Sequence, residues 1–304
     1  MATKLKDPGV GYKSNKGAQR MIVNGESNVK HINKPKSLDD LYTYLIGVSW
    51  WLFLLYVLVG YLLINILFAA VYMTIGVQDF MSSTGNLWED FSYLFFFSAQ
   101  TITTVGYGAI APNGIWAGYV SSLEALVGLM SFSFITGLLY GRFSKPKAKI
   151  RFSKHLVVRD FEESRALMFR VMNKRTNLMI EPELNAVITI TEKESEGQFT
   201  RQFYDLQLQR NKVMYLPTMW TLVHKFDDKS PLKKYTNQEL KNLEVEIYLL
   251  FKYHEQAFNQ QLYQLHSYDF SQLKINYKFG ESYRFDDDGF TIVNHHALNQ
   301  IEKM

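Results

Sequence analysis

The sequence predicts a membrane-embedded α-helical domain with two spans and a re-entrant loop, joined to a soluble all-β domain. Three observations carry this. Nearly all long apolar runs lie between Trp50 and Phe143. Beyond Lys145 the chain turns polar and breaks into short segments rich in β-branched and aromatic residues. The basic residues flank the apolar region and avoid its interior. A length of 304 residues leaves room for about two domains. Cysteine is absent, which excludes structural disulfides and thiolate metal sites and fits a reducing compartment. A net charge of +4 is too modest to point to nucleic acid.

Residues 1–36, rich in Lys, Asn and Gly, read as a mobile N-terminal arm with a short strand at Met21–Val23. They lack the apolar core of a cleavable signal peptide, so the first span is expected to direct insertion. At residues 37–49 the pattern changes. Ser37 supplies an N-cap, Asp39 and Asp40 sit in the first turn, and Leu38, Leu41, Tyr42 and Leu45 recur at helical spacing. This predicts an amphipathic helix along the membrane interface. The alternative, an early start to the following span, would carry two aspartates into lipid.

Residues 50–75 carry no charge and are long enough to cross a hydrocarbon core of about 30 Å. Trp50 and Trp51 suit the interfacial belt, and Asn65 is expected to face another helix. The second span, 115–143, holds one acid, Glu124, and ends beside Arg142. The intervening stretch contains Asp79, Glu89 and Asp90 but no Lys or Arg. Lys30, Lys34 and Lys36 precede the first span, and Arg142, Lys145, Lys147, Lys149 and Arg151 follow the second. Basic flanks stay in the cytoplasm, so both termini are expected inside a cell membrane, plasma or inner. Residues 87–102 begin with acids and continue as an aromatic helix too short to cross, for which a protein-buried re-entrant helix is the physical solution.

Residues 144–304 read as an all-β sandwich. The expected strands include Leu156–Val158, Ala166–Val171, Ala186–Thr191, Gln202–Gln209 and Val245–Tyr253, separated by turns at Glu192–Gly197, Asp227–Pro231 and Asp286–Gly289. No dinucleotide fingerprint, phosphate-binding loop, internal repeat or nucleophile–base grouping stands out. The seven histidines show no metal spacing, and His295 and His296 are expected to be solvated. An enzyme is therefore the weakest class of function.

The segment with the most specific chemistry is Thr103-Thr104-Val105-Gly106-Tyr107-Gly108, directly after the re-entrant helix. Potassium must lose its water shell to be sorted from sodium, and rings of backbone carbonyls from four chains can replace that shell. The carbonyls of Thr104, Val105, Gly106 and Tyr107 are the expected ligands. Gly106 and Gly108 take up the backbone conformations that aligned carbonyls require, and Thr104 adds a hydroxyl at the inner end. Val105 and Tyr107 are expected to turn away from the pore and brace it. Glu124 either braces this segment from behind or sits near the outer water; Gln100 joins it as candidate filter support. Phe132, Thr136 and Tyr140 share one face of the second span. Four copies of Phe132 or Tyr140 can form an apolar constriction that dewets, or the aromatics pack against helices and lipid. Gly128 and Gly137 serve either bending or close helix packing. Arg142, Lys145, Lys147 and Lys149 either contact anionic lipid head groups or act as an ordinary positive anchor.

Together these residues resemble the inward-rectifier potassium channels, most closely their prokaryotic KirBac-type branch. The resemblance runs from about Leu38 through LDDLYTYLIGVSW, FFFSAQTITTVGYG and LEALVGLMSFSFITGLLYGRFSKP into FSKHLVVRDFEESRALMFRVMNKR and IEPELNAVIT. It implies a homotetramer, an immunoglobulin-like cytoplasmic β-sandwich that extends the pore, potassium as the permeant ligand, and no cofactor. It also implies gating by the interfacial helix and the cytoplasmic domains, with phosphoinositides as regulators that inhibit prokaryotic members. Tyr140 resembles the position of the family's inner helix-bundle gate. Three departures stand out. Phe132 occupies the place of the cavity acid of strong rectifiers; Gln100 and Ile110 occupy the places of a paired acid and arginine around the filter; and the outer disulfide of eukaryotic members is impossible.

Two rival readings compete with a potassium pore. Another class of potassium channel would need an arginine-repeat sensor helix or a βαβ regulatory domain, and neither pattern is present. A membrane-anchored β-sandwich binding module leaves the re-entrant segment and TVGYG without a purpose.

Overall fold

Four helices build the first unit of the chain, Asn33–Lys145. In the computed structural model, which describes residues 3–9, 11–14, 21–23, 26–33, 38–146, 148–193 and 199–304, they are α1 (Leu38–Gly47), α2 (Trp50–Ile75), α3 (Leu87–Ile102) and α4 (Ile115–Phe143). The predicted cap Ser37, with Lys34 and Lys36, lies outside the described residues. Both α2 and α4 are long and apolar enough to cross a membrane. At 1.5 Å per residue, α2 is about 39 Å long, more than a hydrocarbon core needs. Leu54, Leu58, Leu62, Leu63 and Leu67 leave its outer surface apolar and exposed. So large an apolar surface is a liability in water and is at home among lipid chains.

Local chemistry sets where each helix starts. Ser49 caps α2, its hydroxyl accepting from the Leu52 amide at 3.4 Å. Asn86 caps α3, accepting from the Trp88 amide at 3.0 Å. Asp90, in the first turn of α3, is buried and accepts from the Ser83 hydroxyl (2.6 Å), the Thr84 amide (2.9 Å) and the Thr84 hydroxyl (2.9 Å), which ties the preceding loop to the helix. Gly114 opens α4 because a Cβ there would lie 2.7 Å from Asp79 Cγ, while the neighbouring Asn113 amide donates to the Asp79 carbonyl at 2.8 Å. The core of this unit is aromatic: the rings of Tyr72, Phe80 and Phe97 meet at centroid distances of 4.7 to 5.3 Å, with Ala69, Leu94 and Ala117 closing around them.

The second unit joins Met1–Ile32 to Pro146–Met304. Its two larger sheets form a sandwich, and the described residues add three two-stranded sheets. The larger orders its strands Lys4–Leu5, Phe199–Asp205, Met179–Lys193, Val245–Glu255 and Gln260–Asp269, all paired antiparallel. The smaller orders Met219–Lys225, Ser164–Asn173, Leu156–Phe161 and Leu273–Ile275, the last running parallel to its neighbour. Along Val245–Glu255 every second residue is buried, as a strand with one core-facing side requires. Ile188, Ile247, Leu249 and Phe251 from the larger sheet meet Phe169, Val171 and Leu222 from the smaller one to fill the core.

The structure differs from sequence expectation in three places. The described part of the N-terminal arm is not free: Lys4–Leu5 and Lys13–Ser14 both add to the strand Phe199–Asp205, whose outer edge otherwise presents unpaired amides and carbonyls. The strand expected over Gln202–Gln209 ends at Asp205. Beyond it the Leu206 amide bonds Ala186 in one sheet (3.0 Å) and the Gln209 amide bonds Val223 in the other (2.8 Å), so the chain is crossing between sheets. Among the described residues one short α-helix, α5 (Asn237–Asn242), interrupts the strands, started by a reciprocal Thr236–Glu239 capping box. The predicted turn Asp286–Gly289 is present, with Gly289 at φ +83° and its amide on the Asp286 carbonyl at 3.1 Å.

Candidate functional site

The loop after α3 has a backbone that ordinary residues resist. Thr103 ends the helix in right-handed geometry. Thr104, Gly106 and Gly108 then take φ values of +59°, +55° and +79°, so left-handed residues alternate with Val105 and Tyr107. Sequence reasoning assigned this demand to the two glycines; Thr104 shares it. The Val105 and Gly106 amides both donate to the Gln100 carbonyl, at 2.9 and 3.3 Å, which folds the loop back onto the end of α3. Gln100 therefore enters the site through its main chain. Thr103 donates its hydroxyl to the Ala99 carbonyl (2.6 Å) and Thr104 its own to the Thr103 carbonyl (2.7 Å). Within one chain Val105 and Tyr107 remain exposed and brace nothing.

Behind this loop lies a buried polar cluster drawn from three helices. Glu124 of α4 accepts from the hydroxyls of Tyr72 on α2 and Ser98 on α3. The Ser98 hydroxyl also faces Asn65 Oδ1 at 2.9 Å, and Asn65 Nδ2 donates to the Tyr61 carbonyl at 2.7 Å. All four side chains are fully buried. The sequence flagged Glu124 and Asn65 as misfits in apolar helices. Tyr72 and Ser98 escaped notice; the only signal was a lone hydroxyl within the apolar stretch FFFSAQ.

Gly128 lies where α4 crosses the end of α3. A Cβ on it would overlap the Ile102 carbonyl oxygen and lie 2.9 Å from both the carbonyl carbon and Cγ1 of that residue. Nothing lies within 4 Å of the corresponding position at Gly137. Phe132, Thr136 and Tyr140 follow one another at four-residue spacing on α4 and are exposed, whereas Ala117, Ser121, Glu124 and Gly128 nearer its start are buried.

At the far end of α4, Gly141 packs against Tyr42 and Ile46 of α1. Arg142 donates to the carbonyls of Leu45 (2.6 Å), Ile46 (3.1 Å) and Val48 (2.7 Å), and its guanidinium stacks over the rings of Trp50 and Phe53 at 4.6 and 4.7 Å. Of the two roles expected for Arg142, lipid contact or positive anchor, these contacts favour the anchor: three carbonyls around the end of α1 accept its hydrogen bonds. Lys145 and Lys149 are exposed, and Lys147 lies outside the described residues.

This pairing of a left-handed-alternating loop with two spans and a β-sandwich has known counterparts. A family profile described as "Inward rectifier potassium channel C-terminal domain" matches residues 150–304, and one described as "Ion channel" matches residues 57–145. The chain is 35% identical to inward rectifier potassium channel Kirbac3.1 of Paramagnetospirillum magnetotacticum, over 82% of this chain and 84% of that one. It is 26% identical to G protein-activated inward rectifier potassium channel 3 of Homo sapiens, over 94% of this chain and 78% of that one. The chain belongs to the inward rectifier potassium channel family.

Proposed function

We propose that this chain is one subunit of a homotetrameric, potassium-selective channel that conducts passively across a cell membrane. Four copies of residues 103–108 surround the axis, and the carbonyls of Thr104, Val105, Gly106 and Tyr107 take the place of the ion's water shell. The observation that carries this is the recurrence of positive φ at every second residue, Thr104, Gly106 and Gly108, the kind of backbone that aligned carbonyls require. The negative end of the α3 dipole favours a cation beneath the filter. The exposed face bearing Phe132, Thr136 and Tyr140 lines the inner path, and Tyr140 narrows it at the inner mouth. Val105 and Tyr107 find their packing partners on neighbouring subunits. The sandwich lies in the cytoplasm with both termini, because the basic flanks of the two spans stay inside.

Arg142 is the mechanical link in this reading, since it fastens the interfacial helix α1 to the inner end of α4 beside Tyr140. Lys145 and Lys149 remain as the cations available to anionic lipid or phosphoinositide head groups. Currents unchanged across lipid compositions after neutralising both would remove the lipid role.

The test is rubidium uptake into liposomes holding the purified protein, driven by a potassium gradient. Wild type is expected to give potassium-selective, barium-sensitive uptake, and Gly106→Asp to abolish it. Wild-type selectivity in Gly106→Asp would mean that the filter lies elsewhere.

A further inference from the structure

The polar cluster behind the filter loop holds more oxygens than its hydroxyl protons can serve. Ser98 has one hydroxyl proton but faces two acceptors, Glu124 Oε1 and Asn65 Oδ1. Turning the Asn65 amide over does not help, because its Oδ1 would then face the Tyr61 carbonyl at the 2.7 Å where Nδ2 now donates. An ionised Glu124 would therefore leave either its own Oε1 or Asn65 Oδ1 buried without a donor. Protonation of Glu124 removes the conflict. Tyr72 donates to Glu124 Oε2, Glu124 Oε1–H donates to Ser98 Oγ, Ser98 donates to Asn65 Oδ1, and Asn65 donates to the Tyr61 carbonyl. Every link then has one donor and one acceptor.

The surroundings agree. Glu124 has no solvent-exposed surface. Helices α2 and α3 contain no Lys, Arg or His. On α4 the sole basic residue is Arg142, about 27 Å away along the helix axis, and it is engaged by the carbonyls at the end of α1. Among the described residues Tyr72 is the one titratable side chain bonded to Glu124, and Asp90 of α3 is turned toward Ser83 and Thr84. A bare carboxylate here would be a buried charge with no counter-ion.

We propose that Glu124 is held as a neutral carboxylic acid whose proton completes a one-way hydrogen-bond chain, Tyr72 to Glu124 to Ser98 to Asn65 to the Tyr61 carbonyl, locking α2, α3 and α4 together behind the filter loop. Glu124 and Ser98 are positioning residues: they touch no ion and act through the placement of α3. The proposal deepens the conduction reading but does not depend on it for its primary test.

That test is infrared difference spectroscopy of the full chain in lipid at neutral pH, wild type against Glu124→Gln. Wild type is expected to show the carbonyl stretch of a hydrogen-bonded carboxylic acid that the variant lacks, and Ser98→Ala to move that band by removing the acceptor of its proton. In the uptake assay Glu124→Ala is expected to lose about tenfold or more. Glu124→Gln, whose amide copies the donor and acceptor of the neutral acid, should return to within about threefold of wild type. Absence of the band from wild type, or better uptake by Glu124→Asp than by Glu124→Gln, overturns the proposal. A band without any wild-type uptake supports the protonated state and overturns the conduction reading instead.

Discussion

Replacing Gly128 with alanine puts a methyl group into the contact between α4 and the end of α3. The new Cβ would lie 2.9 Å from the Ile102 carbonyl carbon and from its Cγ1, and would overlap the carbonyl oxygen. Carbon atoms rest about 3.5–4.0 Å apart, so the helices must separate locally by at least about 0.6 Å. Rotating a side chain cannot relieve the clash with main-chain atoms of Ile102, the last residue of α3. Overpacking of this kind costs about 1–3 kcal/mol. Shifting Ile102 also shifts Thr103 and the loop hung from it, so the conducting geometry is expected to lose about 5–150-fold in population. Alanine meanwhile improves the helix by about 1 kcal/mol over glycine, so thermal stability should change far less than conduction. The assay is rubidium uptake per assembled channel beside a thermal melt, with Gly118→Ala on the same helix as control, where nothing lies within 4 Å of the added group. Full wild-type uptake in Gly128→Ala would refute the idea that this contact sets the filter.

Two further outcomes follow from the geometry. Arg142→Lys keeps the charge but loses the fork that reaches the Leu45, Ile46 and Val48 carbonyls, so amide hydrogen exchange over α1 should quicken about tenfold or more, equally in neutral and anionic lipid; a change seen only in anionic lipid would return Arg142 to the head groups. In the sandwich, burial holds the His224 imidazole below its ordinary pKa of 6.5. Its Nδ1–H donates to the Gln207 carbonyl at 2.6 Å, and Nε2 accepts from the Ser230 hydroxyl at 2.8 Å. Because the folded value is depressed, the unfolded chain takes up the proton first as pH falls, so stability is complete above about pH 6.5 and is lost below it. Melting temperature should thus fall more steeply between about pH 7 and pH 5 in wild type than in His224→Gln; parallel curves would rule this histidine out as the cause.

Much of the architecture is legible from local pattern, because membrane solvation acts on every residue of a span. Uncharged runs, tryptophans at their ends, basic flanks and an aromatic segment too short to cross all write the same topology into the sequence. The sandwich is legible where strands alternate or run apolar, as in Val245–Glu255 and Ser164–Asn173. It fades at Gln260–Asp269, whose many polar residues suit a sheet edge and mute the alternation. Partnerships across the chain are least legible. Tyr72 and Ser98 lie 52 and 26 positions from Glu124, and nothing local marks either as its donor. Arg142 looks like any basic residue below a span, because the carbonyls that hold it become available only once α1 has ended.

The central claim is that backbone oxygens from Thr104 to Tyr107 stand in for the hydration shell of potassium. The most direct measurement is the reversal potential of the purified channel in a planar bilayer with potassium on one side and sodium on the other. Currents reversing far from zero, in the direction that marks potassium as the permeant ion, are the expected result. Reversal near zero, with sodium carrying current as readily as potassium, would contradict the account.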